Sequence, residues 1–293
     1  MKKNILLCIV FMLLILTSCE KLEMTNEVID TTAQLQLAPP VYDHIFVVWF
    51  ENFDRDDIWG SSSCPYMNSL IRSGTLFKSF YCYTNSASQP NYVVAFAGSR
   101  CGINTNSTLS GRPLTNPNLH TALVAKGKTF KTYCEGIPYA GSTTSSSGYY
   151  RRRHNAPINF SNVPGSLIKP FPLPSNYDSY ATVTWIVPNL RNDGHDTGKG
   201  YADNWMKNTL KPMVEYCNVP SNNSLFILYF DEGSGSDRKI AATFVGNRVR
   251  ANNVVSTTYD VGHLYLLRTI LDMYGCGHLG STPSYGPLTG WYN

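Results

Sequence analysis

The chain has 293 residues, a formal net charge of +4, 15% charged residues and 43% hydrophobic ones. So small an excess of charge argues against nucleic acid or an anionic membrane surface as the partner. About 250 residues from Pro40 onward suffice for one domain with a full core, and no internal repeat divides them.

Lys2-Lys3 precede an apolar run from Ile5 to Leu16, followed by Thr17-Ser18-Cys19. This reads as a secretory signal, its apolar stretch too short for a comfortable membrane span. The small residues before Cys19 resemble a bacterial lipoprotein box. The expectation is therefore cleavage after residue 18, lipidation of Cys19, a polar tether over 19–40 and a domain over 41–293 in the bacterial cell envelope, periplasmic or surface-exposed. Loss of residues 1–18 removes two lysines and no acid, leaving +2. Six cysteines remain beyond Cys19. In an exported chain they are compatible with three disulfides of unreadable pairing. None has the spacing of a zinc ligand set.

His44 to Phe50 is a continuous apolar run ending at Glu51-Asn52, as expected of a strand buried on both faces. A helix over 64–73 closed by Gly74 should follow, then a strand from Thr75 to Tyr83. Pro90 suits a first helical position of the next helix. Further on, the pattern predicts a helix around 117–126 and a strand from Thr129 to Cys134. A Ser-, Gly-, Pro- and Tyr-rich excursion over 140–180 is of the kind that covers a site. Thr182 to Val187 should be a strand and Asp203 to Tyr216 a helix with Trp205, Leu210, Met213 and Val214 inward. Ser224 to Phe230, ending at Asp231-Glu232, and Ile240 to Val245 complete the strands. His263 to Tyr274 is the last helix. Strands alternating with helices predict an α/β fold, a three-layer αβα sandwich around a mostly parallel sheet.

Ser88 falls at the mouth of its helix, where free N–H groups and the dipole favour an anion. A hydroxyl there can attack phosphorus, although the segment taken alone favours a plain cap. The two acid-bearing corners should meet beyond the carboxyl ends of the strands. Glu51, Asn52, Asp231 and Glu232 then offer hard oxygen ligands for a divalent cation. His154, His195 and His263 could polarise phosphoryl oxygens or protonate a leaving alkoxide. Arg151-Arg152-Arg153 could neutralise phosphate, a solvated loop being the simpler reading.

Six segments in order, spanning nearly all of the mature domain, resemble the phosphoesterase family. That family joins bacterial phospholipases C to secreted acid phosphatases within the alkaline-phosphatase-like superfamily. The segments are His44–Asp54, Ser88–Tyr92, Arg153–Asn155, Ile186–Asp196, Leu228–Gly233 and His263–Ile270. The resemblance implies an alkaline-phosphatase-like fold and a Ser88 nucleophile that is phosphorylated and then hydrolysed. It implies that Asn91 donates to a phosphoryl oxygen and that His154, His195 and His263 surround the phosphate. Glu51, Asn52, Asp231 and Glu232 would hold one divalent metal ion of unknown identity. Two positions depart from the family pattern: Ser86 stands where a histidine is usual, and Gly262 where an aspartate commonly precedes the last histidine.

The leading expectation is thus a lipid-anchored acid-phosphatase-like enzyme acting on phosphate monoesters. Phospholipase C or another phosphodiesterase is the alternative. A non-catalytic surface lipoprotein binding glycan or nutrient is the reading from another class, supported by 19 Tyr and 5 Trp. Neither the natural substrate nor the oligomeric state is readable.

Overall fold

The computed structural model describes residues 39–235 and 238–293. The expected signal peptide, Cys19 and nearly all of the tether lie outside the described residues. Eight strands form one sheet: β1 (His44–Phe50), β2 (Thr75–Phe77), β3 (Phe130–Cys134), β4 (Ile168–Pro170), β5 (Val183–Val187), β6 (Ser224–Phe230), β7 (Ala242–Val245) and β8 (Asn253–Val255). Their spatial order is β8-β2-β7-β6-β1-β5-β3-β4. Among the described strands of this sheet only β7 runs against its neighbours, pairing antiparallel with both β6 and β2. The main helices are α1 (Pro65–Ser73), α2 (Ser88–Ala97), α3 (Leu119–Val124), α4 (Lys199–Asn218) and α5 (His263–Met273).

Successive side chains of a strand face opposite ways, and β1 uses both. Trp49 lies against Tyr92 of α2 at 4.4 Å and His263 of α5 at 6.2 Å. Phe50, one residue on, meets Trp205 of α4 at 6.1 Å. Helices therefore cover both faces, giving three layers. Every residue of β6 and all but the first of β1 are buried, which is why their sequences run apolar without alternation.

Four details depart from expectation. The strand foreseen from Thr75 to Tyr83 breaks after Phe77, and Phe80–Tyr81 pairs instead with Val261–Gly262. Phe77 and Phe80 would face opposite ways on one strand; the break lets their rings meet at 6.1 Å. Helix α4 starts at Lys199 rather than Asp203, and the Asp203 carboxylate, one turn inside it, is committed elsewhere. It accepts from the N–H groups of Tyr66 and Met67, 3.1 and 2.7 Å away, and so caps α1. The short edge strands β4 and β8 went unforeseen, three residues each. Lastly, Cys64, Cys82, Cys101, Cys134, Cys217 and Cys276 are free thiols, so the disulfides allowed by the count are not formed. Several are engaged singly: the Cys82 thiol donates to Asn85 Oδ1 at 2.7 Å.

Candidate active site

Three adjacent parallel strands, β6, β1 and β5, deliver acids to one crevice beyond their carboxyl ends. Asp231 and Glu232 follow β6 directly, Glu51 follows β1 directly, and Asp193 comes from the loop after β5. Backbone bonds tie these ends together: Glu51 N donates to Asp193 O and Asp231 N to Phe50 O, each 3.2 Å. Asn52, next to Glu51, turns the chain with φ 55°. Its half-buried amide makes no hydrogen bond among the described residues. Gly194 has φ +99°, and a Cβ there would strike the Phe53 ring at 2.7 Å. Only glycine lets the Asp193 loop lie this close to the turn after β1.

Ser88 enters from the opposite side, on α2. The helix begins two residues before Pro90, with Ala87 as the N-cap and no side-chain cap. Ser88 is therefore inside the first turn and is not spent on capping. The missing N–H of Pro90 still falls where no intrahelical partner exists. Ser88 Oγ donates to Glu232 Oε1 at 2.9 Å and lies 3.3 Å from Glu51 Oε2. Asn91 fastens the loop before Ser88. Its Oδ1 accepts from Tyr83 N and Thr84 N, and its Nδ2 donates to Thr84 O and Ala87 O. Nδ2 also lies 3.5 Å from Glu232 Oε2. At the other end of α2, Gly98 is left-handed and packs so close to Leu279 O that a Cβ would sit 2.2 Å away. That contact fixes where the helix ends and so where Ser88 stands.

The excursion over 140–180 does cover this helix. Its 3-10 turn Arg152–His154 stacks His154 on Tyr92, ring centroids 5.4 Å apart and planes 11° from parallel. Tyr92, which sequence reasoning did not single out, donates to Glu51 Oε1 at 2.5 Å. Burial holds its phenol far above the usual range, so it stays a donor. His154 Nδ1 lies 3.3 Å from Glu51 Oε1 and 3.6 Å from Asp193 Oδ2, while its Nε2 accepts from Arg153 Nε at 3.2 Å. Burial and the Arg153 charge push its pKa well below the normal histidine value. The neutral ring must then carry its proton on Nδ1, facing the carboxylates.

His195 stands at the mouth, partly exposed, with Nδ1 2.7 Å from Asp196 Oδ1 and its ring 6.4 Å from that of His154. Its backbone N–H holds Asp193 Oδ1 at 2.8 Å. His263 is placed behind the crevice instead of in it. Its Nε2 bonds the Asp231 carbonyl at 2.8 Å and its Nδ1 bonds the Tyr229 hydroxyl. Burial lowers its pKa to about 4, so the ring is neutral; with Nε2 donating, Nδ1 accepts from the phenol.

Two groups of potential metal ligands share Glu51: Glu51, Asp231 and Glu232, and Glu51, His154 and Asp193. The proton on His154 Nδ1 disfavours the second. The first fits a hard cation, because both Asp231 oxygens are buried without a hydrogen-bond partner among the described residues. Burial first, then mutual repulsion, raises the pKa of Glu51 and Asp231 well above normal. Asp193 is raised chiefly by burial, and Glu232 likewise. A cation would reverse that penalty. Asp193 carried a weaker signal than the other two corners: an acid after a fully buried strand, but in the loop beyond it and not directly at its end.

Residues 51–276 match the profile of the Phosphoesterase family. The chain is 35% identical over 257 residues to the phosphatidylinositol-3-phosphatase of Mycobacterium tuberculosis, covering 86% of this chain and 83% of that one. It is 27% identical over 285 residues to a probable acid phosphatase of Kluyveromyces lactis, covering 90% of this chain but 65% of that longer protein. A protein in the alkaline phosphatase superfamily from Vibrio parahaemolyticus shares the fold, with a TM-score of 0.55 at 12% identity over 87% of this chain and 72% of its own. With the acid-bearing strand ends, the Ser88 helix and the sequence all in agreement, the chain belongs to the Phosphoesterase family, hydrolases acting on phosphoric ester bonds.

Proposed function

We propose that this is an exported, lipid-tethered phosphatase that hydrolyses phosphate monoesters through a phosphoserine on Ser88. The observation that carries the reading is the Ser88 hydroxyl, buried between carboxylates from two separate strand ends, 2.9 Å from Glu232 and 3.3 Å from Glu51. Attack of Ser88 Oγ on phosphorus breaks the bond to the ester oxygen, and the hydroxyl proton passes to Glu232, already its acceptor. The leaving alkoxide takes a proton from His195 at the mouth. Water, giving a proton to His195, then attacks the phosphoserine; the P–Oγ bond breaks, Glu232 returns its proton to Ser88 Oγ, and inorganic phosphate leaves. Glu51, Asp231 and Glu232, with Asn52 beside them, would hold one divalent cation. When bound, it supplies Lewis acidity at the phosphoryl oxygens and lowers the Ser88 pKa. Asn91 and His263 act as positioning residues, the first on the nucleophile loop, the second on the Asp231 backbone.

The test compares an aryl phosphate, its diester and phosphatidylcholine. The monoester should turn over fastest, and acid quenching during turnover should leave phosphate on the peptide containing Ser88. A faster diester, or phosphate trapped on another residue, overturns the reading. The name of the Mycobacterium tuberculosis relative makes a phosphorylated inositol lipid the first natural monoester to try. For the tether, Cys19→Ala should move the activity from the membrane pellet to the soluble fraction. Activity that stays in the pellet refutes it.

A further inference from the structure

The three adjacent arginines do not share one role. Arg152 is buried and spends its guanidinium on the fold, donating to the carbonyls of Leu109, Gly111 and Thr143 and to Asn159 Oδ1. Arg151 and Arg153 are half-buried and together line a cavity of about 270 Å³ with Asn106, Thr108, Ser145 and Ser146. Among the described residues no carboxylate lines it. Arg151 engages only Nη1, with the carbonyls of Gly148 and Tyr150. Arg153 engages only Nε, with His154. Their remaining guanidinium nitrogens make no hydrogen bond among the described residues.

This cavity adjoins the catalytic crevice through two direct links. Asn106 Oδ1 accepts from the N–H of Gln89, the residue after Ser88, at 2.9 Å. Arg153 bonds His154, which in turn faces Glu51. The positive charge of Arg153 is near enough to act on Glu51, Asp193 and Glu232. Two guanidinium groups with spare donors, hydroxyls and an amide around them, and no acid among the described wall residues, offer a neutral ligand little. They suit a phosphate, which takes bidentate bonds from arginine.

We infer that the Arg151–Arg153 cavity is a second phosphate subsite, selecting monoesters that carry another phosphate group on the same small molecule or headgroup. The inference rests on the phosphatase reading of Ser88, since the subsite holds one phosphate while the other is cleaved. The second phosphate could be a monoester on a soluble polyol or the diester of a lipid headgroup.

Wild type and Arg151→Ala would be compared on soluble inositol bisphosphate, soluble inositol monophosphate and phosphatidylcholine vesicles containing phosphatidylinositol phosphate. Thermal melts would check that the variant folds. The kcat/KM ratio of bisphosphate to monophosphate should favour the bisphosphate in wild type. In the variant it should fall about tenfold, mainly through KM, as expected on losing a charge-assisted phosphate contact. Raised salt should shrink the ratio in wild type more than in the variant. A matching loss on the vesicles alone would assign the subsite to the lipid headgroup; a loss on the soluble bisphosphate alone assigns it to free polyol phosphates. A ratio unchanged on both, with monophosphate still cleaved, overturns the subsite and leaves the phosphatase reading standing. Failure of the wild type on every monoester overturns that reading and the subsite with it. If Arg151→Ala does not fold, Arg151→Lys replaces it. Lysine keeps the charge without the fork, and the same ratio should fall while remaining above that of an uncharged site.

Discussion

Ser88→Ala should abolish turnover of an aryl phosphate monoester, lowering kcat by about ten-thousandfold or more, the scale on which deleting a covalent nucleophile acts. No neighbouring hydroxyl can substitute. The Tyr92 phenol is committed to Glu51 Oε1, and its pKa is raised too far for it to ionise. Thr84 and Ser86 bond each other at 2.6 Å on the exposed part of the loop. The variant should nevertheless fold. The Ser88 side chain donates one hydrogen bond, to Glu232, an acid that a cation can satisfy, and Asn91 still ties the loop to α2. The expected change in melting temperature is a few degrees at most, on the scale of about 1–2 kcal/mol for lost buried hydrogen bonds. Full retained activity in a folded variant would refute the nucleophile assignment. Loss of activity together with loss of the melting transition would not support it, and trapping of phosphate in the wild type then decides.

The central sheet was legible because burial on both faces forces a strand to be apolar throughout. His44–Phe50 and Ser224–Phe230 carry that pattern, and each ends in an acid where the sheet ends. Their meeting was an inference from the geometry of parallel sheets, and the pairing of Phe50 with Phe230 is what realises it. The place of Asp193 was harder to read, since it requires knowing that Val183–Val187 lies next to β1 on the other side. Strand order is a long-range property that no local spacing encodes. His263 shows the opposite limit. Its position in the chain said where it would be, but its orientation follows from Tyr229 and the Asp231 carbonyl, partners about 32 residues or more away in sequence, which hydrogen-bonding needs alone select. The partner of Asp203 was unreadable for the same reason: expected as the first residue of its helix, it lies one turn inside and caps a different helix. Short edge strands such as Asn253–Val255 left no periodic signal to find.

Asp231→Asn should weaken divalent-cation binding strongly and cut the rate by orders of magnitude, and its effect on stability should reverse sign with pH and metal. In the metal-free protein, burial and repulsion raise the carboxyl groups of Glu51, Asp231 and Asp193 above their unfolded values. The native state then binds more protons than the unfolded state, so stability is greatest below the unfolded carboxylate range of about 4 and falls as pH rises toward the raised native values. Wild-type protein stripped with a chelator should therefore melt progressively lower from acid to neutral pH. The amide at residue 231 removes one member of the repelling cluster, so the stripped variant should lose less over the same range and can equal or exceed wild type near neutrality. Added cation should act the other way. It needs ionised ligands, so it should raise the wild-type melting temperature most at neutral pH, by about 5–10 °C at a hundredfold excess over its dissociation constant. The variant should gain far less. Metal analysis, melting curves with and without chelator at two pH values, and turnover of an aryl phosphate measure the three effects on one preparation. Unchanged metal content in Asp231→Asn would remove Asp231 from the ligand set. A stripped wild type whose melting temperature rises with pH would mean that the buried acids are not the strained cluster the structure brings together.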